Sequence, residues 1–411
     1  MTDVQRPHPR LHFTPQSGWM NDPLAVTWSN GQYHLFFQYV PGRTTWAPEC
    51  RWGHATSPDL VTWTEHPVAL EPGDGDDGIW SGSIAIGEDG RPTIFYTSVQ
   101  VPDFGIGSIR TATPVDDEWI RWAKGEVVVE APPLDLIAFR DPFVMRDGGR
   151  WRMLVGTALD GGDAAASSFV SDDLRTWTFE GLAASRNTRE SEPVWTGALW
   201  ECPQIFTIDD RDVMVTSVWQ EDELHYVVYA VGEFVEGRFR ADNWGRLTYG
   251  DSYYAPSFFR DRDGRPCLIF WMRGVIDEEA GRASALSVPH VLRLEGDTLV
   301  AAPHPAVRAY VADARSSATD GFEAALAAGE EWVASNDAGT LAIRRDEFSI
   351  TCSWLDAVTV LPAAAGDVRI LVDGETVELF SGAALFGVGS NSAFTVSAPA
   401  RRANATVRQT T

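Results

Sequence analysis

A polar turn followed by an apolar, aromatic strand recurs five times along the first two thirds of this chain, and that recurrence restricts the fold more than any other feature. The copies are Asn30-Gly31 before QYHLFFQY, Asp89-Gly90 before RPTIFYTS, Asp147-Gly148 before GRWRMLVG, Asp209-Asp210 before RDVMVTSV and Asp263-Gly264 before RPCLIFWM. Measured at the second turn residue, successive copies stand 59, 58, 62 and 54 residues apart. A sharper echo lies at twice that period: the octapeptide SPDLVTWT, starting at Ser57, returns as SDDLRTWT, starting at Ser171, 114 residues later. Each turn follows another short apolar segment, so it reads as the first hairpin of a unit of about four strands. Five such units predict an all-β chain whose residues 1–296 form a five-bladed β-propeller. From about residue 297 the rhythm stops, and alternating segments at 367–372 and 376–380 around Asp373-Gly374 predict a second, smaller β-domain over 297–411. Residues 322–335 have helical propensity inside this β pattern, and the sequence leaves the two in competition.

Composition removes several function classes. The 33 Lys and Arg against 58 Asp and Glu leave a net charge of −25, which repels phosphate backbones and anionic lipid, so neither nucleic acid nor membrane is an expected partner. Lys124 is the sole lysine among those cations, a skew that carries no functional reading. Four cysteines, Cys50, Cys202, Cys267 and Cys352, show no CxxC spacing and indicate neither a zinc knuckle nor a disulfide scaffold. The opening MTDVQRPHPRLHF lacks the apolar core of a signal peptide and no run is long enough to span a bilayer, so a reduced, cytoplasmic setting is expected.

A propeller turns the first strand of each blade toward its central channel. Eight residues before the first turn stands Asp22, in WMNDP; six before the third stands Asp141, in FRDP; eight before the fourth stands Glu201, in WECP. The eight-back positions of the second and fifth units hold Ser81 and Ala255. Three carboxylates gathered at comparable depth are costly unless hydrogen-bonded or sharing protons, so such a cluster marks a metal or an acid–base site. None of the three segments has an EF-hand-like DxDxDG run. His12, His34, His54, His66 and His225 form no HExxH pair and read as structural. A site free of metal and cofactor is therefore expected. Retaining glycoside hydrolysis uses two carboxyl groups about 5–5.5 Å apart, one attacking the anomeric carbon and one protonating the leaving oxygen and later activating water. The 17 tryptophans suit the flat faces of sugars, and Trp46 and Trp80 adjoin the channel segments.

At these residues the chain resembles glycoside hydrolase family thirty-two, the invertase, inulinase and levanase group of β-fructofuranosidases. The likeness runs in order through HFTPQSGWMNDP, HLFFQYVP, WGHATSPDLVTW, IWSGS, FRDPFV, LWECPQIF, YYAP, SVPHVLRLEGDTLV and DGETVELF, an ordered series far more specific than any one short motif. It implies a five-bladed propeller followed by a C-terminal β-sandwich. It further implies Asp22 as nucleophile, Glu201 as general acid/base and Asp141 as the stabiliser that binds fructosyl hydroxyls. Asn21, Gln38, Trp46, Trp80, Ser81, Arg140 and Trp271 match positions that line the fructose subsite in similar enzymes. Two departures stand out. Leu24-Ala25 replaces the family's usual Asn-Gly after the DP pair, and Ser252 and Ser257 replace the acid and amide of its Asp-Phe-Tyr-Ala-x-Gln pattern.

The resulting expectation is an exo-acting, retaining β-fructofuranosidase that releases fructose from sucrose or a short, neutral fructooligosaccharide. The alternatives are a fructosyltransferase using the same covalent intermediate and a noncatalytic carbohydrate-binding protein on the same fold. The smaller domain is expected to cover the propeller's flank and to mediate a homodimer.

Overall fold

The computed structural model describes residues 9–313, 322–364, 366 and 368–398. Among these, strands account for nearly all regular structure, and the one helix is Pro305–Asp313. Five successive units each contain a four-stranded antiparallel meander. Their innermost strands are Gly18–Ser29, Gly78–Ile86, Leu136–Asp147, Leu199–Ile208 and Tyr253–Arg260.

The turn signals do the work expected of them. Asn30 and Gly31 both have positive φ, 50° and 82°, as do Asp209 and Asp210, 48° and 63°, the twisted two-residue geometry that matches hairpin strands. The repeated octapeptide makes the same turn twice. The Ser57 hydroxyl accepts the Leu60 N–H at 2.8 Å and the Asp59 carboxylate accepts Thr62 N–H at 2.7 Å. Ser171 and Asp173 do likewise for Leu174 and Thr176, at 2.9 and 2.8 Å. Each copy carries a leucine at positive φ, Leu60 at 69° and Leu174 at 63°.

The five innermost strands contact one another in a closed cycle, first to second, second to third, and finally fifth to first. The closure is made by strand pairing: Arg282–Leu286 pairs antiparallel with Pro266–Asp277 and parallel with the first strand, matching Gly18 to Arg282 and Trp19 to Ala283. A cavity of about 640 Å³ runs between them, lined from all five units, including Leu24, Ser83, Asp141, Cys202 and Ser257.

Every innermost strand breaks register at the same level. The unpaired stretches are Asn21-Asp22, Ser81, Asp141-Pro142, Cys202-Pro203 and Ala255-Pro256. These are β-bulges, which bend a strand and re-aim its side chains. Proline is tolerated in such positions because no ladder hydrogen bond is asked of it, which explains Pro142, Pro203 and Pro256; Pro23 directly follows the first bulge, opposite Phe37.

Beyond Pro303, a four-stranded sheet, extended to five by Thr248–Tyr249 from the preceding body, and a second sheet of five strands enclose one apolar core that includes Leu326, Trp332, Ile343, Ile350, Ile370, Leu379 and Phe386. Residues 322–335 resolve their competition as two strands, Phe322–Leu326 and Glu331–Ser335. Ala324 and Leu326, then Trp332 and Ala334, alternate into that core, so burial at period two outweighs helical propensity.

A buried ionic cluster fastens the N-terminal segment to this second body. His12 Nδ1 lies 2.8 Å from Asp373 and its Nε2 lies 3.3 Å from Glu378. Tyr253 donates to Glu378 at 2.8 Å, and the backbone N–H groups of Arg10 and Leu11 donate to Asp373 at 2.9 and 2.7 Å. Burial pulls the His12 pKa down, but Glu378 and Asp373 hold it at about 9.

Candidate active site

The bulges bring the three acids together at one end of the inner-strand ring. Asp22 accepts hydrogen bonds from Asn21 Nδ2 at 3.0 Å, from Gln38 Nε2 at 3.2 Å and from the Ser81 hydroxyl. Gln38 also donates to Ser81, and Trp19 Nε1 fixes Asn21 through its carbonyl at 3.2 Å. Burial pushes the Asp22 carboxyl up to about 6; the Ser81 hydrogen bond opposes that rise and the charge of Glu201 adds to it.

Asp141 receives the backbone N–H of Cys202 on Oδ2 at 3.2 Å and lies 4.0 Å from Arg140 Nε. Burial pushes its carboxyl up to about 7, against the pull of Arg140 and with the push of Glu201 and Asp22. Glu201 is gripped on both oxygens: Arg140 Nη2 donates to Oε1 at 2.7 Å and the Tyr254 hydroxyl to Oε2 at 2.7 Å. Cys202 joins the group, its Sγ 3.8 Å from Asp22 Oδ2. One guanidinium thus serves two carboxylates, Glu201 and Asp141, and burial with mutual repulsion makes Asp22 and Asp141 hold protons to higher pH than usual.

Aromatic rings form the rim. Trp80 meets Trp46 edge-on at 5.7 Å, and Phe104 lies 5.5 Å from Trp80 and 6.1 Å from Trp46. Trp80 is buried and anchored through Nε1 to the Pro48 carbonyl at 2.8 Å, whereas Trp46 keeps 42% of its surface exposed. Arg140 lies 5.7 Å from the Trp80 ring and 5.9 Å from the Trp219 ring. Trp271 packs edge-on against Trp19 at 5.6 Å, and its buried indole N–H has no acceptor among the described residues, a donor available to a ligand oxygen.

All the residues singled out in the sequence converge here: Asn21, Asp22, Gln38 and Ser81 as one hydrogen-bonded group; Arg140, Asp141 and Glu201 as another; Trp46, Trp80 and Trp271 around them. Sequence reasoning missed Tyr254, Trp219, Phe104 and Trp19. Tyr254 was legible in principle, because by the register of the bulges it occupies the place in its unit that Glu201 occupies in the fourth. The same register refines the counting from turns: Asp141 lines up with Cys202, and Glu201 lines up with Arg140.

The departures lie elsewhere. Leu24 is buried among Phe36, Trp52 and Ile79, and Ala25 takes φ of 51°. Ser252 donates to the Arg273 carbonyl at 3.0 Å, and Ser257 faces the axial cavity. Of the histidines, His34 and His54 stack with ring nitrogens 3.1 Å apart in the first unit. Among the described residues one trio has metal-ligand spacing, Asp261, Cys267 and His304. Its donors are committed to structure: Asp261 accepts from Arg265 and His304, and His304 Nδ1 accepts the Ala306 N–H at the start of the helix.

Three acids, with Asp22 and Asp141 buried and Arg140 beside Asp141 and Glu201, set in the ring of inner strands under an aromatic rim, belong to carbohydrate-processing chemistry. The profile of the glycosyl hydrolases family 32 N-terminal domain matches residues 12–303, and the chain belongs to that family. It is 33% identical over 321 residues to a sucrose-6-phosphate hydrolase of Zymomonas mobilis, a match covering 72% of this chain and 62% of that protein. With the sucrose-6-phosphate hydrolase of Bacillus subtilis it shares 31% over 327 residues, covering 75% of this chain and 67% of the relative. The first of these matches therefore spans less than two thirds of its relative's length. Among solved structures, the sucrose-6-phosphate hydrolase of Lactobacillus gasseri superposes with a TM-score of 0.80 at 23% identity, covering 97% of this chain and 92% of the other. The Bombyx mori β-fructofuranosidase BmSUC1 gives 0.79 at 23%, covering 95% and 90%. These likenesses establish a shared fold. No helix of the described residues is long and apolar enough to cross a membrane.

Proposed function

We propose that this chain is a retaining, exo-acting β-fructofuranosidase that removes terminal fructose from sucrose or short fructooligosaccharides. The five meanders are the blades of a propeller and the sheets that follow are a β-sandwich; the boundary expected at 296/297 falls just before Thr298–Pro303, which pairs with His290–Glu295 as the outer strand of the fifth meander. The cyclic contacts of the inner strands and the closure through Arg282–Leu286 support the propeller. The observation that carries the function is the convergence of the three acids: Arg140 binds Glu201 and lies beside Asp141, while Cys202, next to Glu201 in the chain, reaches both Asp141 and Asp22.

Asp22, held by Asn21, Gln38 and Ser81, attacks the anomeric carbon of fructose. Glu201 gives its proton to the departing glycosidic oxygen, then takes one from the water that releases fructose. Asp141, between them, binds sugar hydroxyls and the positive charge that develops on the ring. The four cysteines are buried and unpaired, which supports a reducing, cytoplasmic setting, and a small sugar is the only partner the reaction requires.

The test incubates the purified protein with sucrose, sucrose 6-phosphate, 1-kestose, inulobiose, levanbiose, inulin and levan, and separates products by chromatography. Fructose release that vanishes in Glu201→Gln is the expected result; intact substrates throughout would reject the reading. Lengthening products at high sucrose would assign transfer instead of hydrolysis. With methanol as acceptor, a methyl β-fructofuranoside reports retention, and the α-anomer would exclude it.

A further inference from the structure

Asp141 stands at φ of 67°, in the left-handed region that disfavours residues with a side chain. Something must hold it there. Its backbone N–H donates to the Thr97 hydroxyl at 2.8 Å, and the same hydroxyl donates to the Ser81 carbonyl at 3.0 Å. A hydroxyl has one proton to give; here it goes to Ser81, and a lone pair takes the Asp141 N–H. Ser81 in turn hydrogen-bonds the Asp22 carboxylate. One fully buried side chain, outside the ring of acids, thus ties together the peptides that carry Asp141 and the anchor of Asp22.

The same position recurs around the ring with different occupants. By register Thr97 faces Trp80, Gly156 faces Arg140 and Ser217 faces Glu201, each at the edge of its bulge. The Ser217 hydroxyl accepts the N–H of Ala255, the bulge residue of the following unit, at 3.0 Å, as Thr97 does for Asp141. In the third unit no hydroxyl is present. A Cβ on Gly156 would stand 2.3 Å from the Trp200 carbonyl oxygen, so no side chain fits. The Cys202 N–H that such a hydroxyl would have taken goes instead to the Asp141 carboxylate at 3.2 Å.

We propose that Thr97 is the positioning residue for Asp141, and that the glycine at 156 reserves the Cys202 N–H for the Asp141 carboxylate. Asp141 is then fixed at both ends, its peptide by Thr97 and its side chain by the fourth unit. The effect on turnover rests on the fructosidase reading; the geometric claim does not.

The experiment compares wild type with Thr97→Ser, Thr97→Val and Thr97→Ala. Two measurements are made on each: kinetics on sucrose or the best fructoside, and amide hydrogen exchange at Asp141 by mass spectrometry with single-residue fragmentation. Thr97→Ser retains the hydroxyl, so kcat stays within about threefold of wild type and Asp141 remains protected. Thr97→Val and Thr97→Ala leave a buried N–H without its acceptor, so kcat falls roughly ten- to a hundredfold with KM little changed, and exchange at Asp141 accelerates at least tenfold. Thr97→Ala guards against misfolding caused by the valine methyl. The proposal is overturned if Asp141 exchange is unchanged in Val and Ala, or if Ser loses as much activity as they do. Should wild type cleave no fructoside, the functional reading fails, while the exchange comparison still decides whether Thr97 holds Asp141.

Discussion

Replacing Asp22 by asparagine should make the protein more stable, and more so at alkaline than at acid pH. The Asp22 carboxyl is raised by burial from its ordinary 3.8 to about 6. A carboxyl shifted upward contributes stability below its unfolded pKa and loses it as pH rises toward the folded one. At about 1.4 kcal/mol per pH unit, the folded protein at pH 8 carries a cost of about 3 kcal/mol. At pH 5 the same linkage gives roughly half of that, because both states are then partly protonated. Asparagine escapes this cost but not cleanly. Its carbonyl can take the donors of Ser81 and Gln38, which leaves its amide facing the Asn21 amide where a carboxylate oxygen had been. Asn21 cannot turn over without losing Trp19 Nε1, so one mismatched pair remains, about 1 kcal/mol. The net expectation is a gain of about 2 kcal/mol at pH 8 and well under half of that at pH 5. Both conditions stay above the sequence pI of about 4.6. Urea unfolding followed by tryptophan fluorescence reads the site-bearing sheets, since only Trp332 and Trp354 lie beyond residue 303. A stability difference that does not change with pH, or one that favours wild type at pH 8, would refute the claim that burial makes Asp22 a costly charge.

Further outcomes follow from the same geometry. Activity should fall as pH drops through about 6, where Asp22 gains its proton; a pH profile of kcat/KM with its acid limb near 4 would remove burial as the controlling influence. Tyr254→Phe deletes the hydroxyl 2.7 Å from Glu201 Oε2 and should lower kcat/KM roughly ten- to a hundredfold, while unaltered kinetics would make that contact incidental. His12→Ala leaves Asp373 and Glu378 buried without their cation and should cost about 3–5 kcal/mol, measured by urea unfolding. In wild type the His12 contribution is complete below about 6.5 and is lost as pH rises through about 9, so a variant penalty that grows above pH 9 would contradict it. Ala25→Val puts a β-branched residue at φ of 51° and should destabilise by more than about 1 kcal/mol, whereas Ala25→Gly relieves strain at the expense of a buried methyl and stays near neutral.

The parts of this site that were legible in the sequence are those written in local, repeated chemistry. The turns Asn30-Gly31 and Asp209-Asp210 need positive φ, and SPDLVTWT and SDDLRTWT build one turn twice, so period and unit number could be read from residue type alone. Asp22 and Asp141 were legible for a related reason, a carboxylate followed by proline inside an apolar strand marking a bulge or its edge, and Glu201 by the Cys202-Pro203 bulge that follows it. The illegible parts depend on pairing between strands far apart in the chain. Thr97 sits in an unremarkable FYTS strand, and only the register of Trp80 against it, with Asp141 arriving 44 residues later, turns its hydroxyl into a clamp. Tyr254 meets Glu201 across 53 residues, and His12 meets Asp373 across 361. Counting back from turns could not supply these contacts either, because the second and fifth hairpins close with longer loops, Ile86 to Pro92 and Arg260 to Pro266, so equal counts do not reach equal places. The bulge is the better ruler, since it fixes where each strand changes direction. It assigns Arg140 and Glu201 to the same station in neighbouring units, and the cation there offsets the charge of Glu201 and Asp141 while Asp22 is held by Asn21, Gln38 and Ser81.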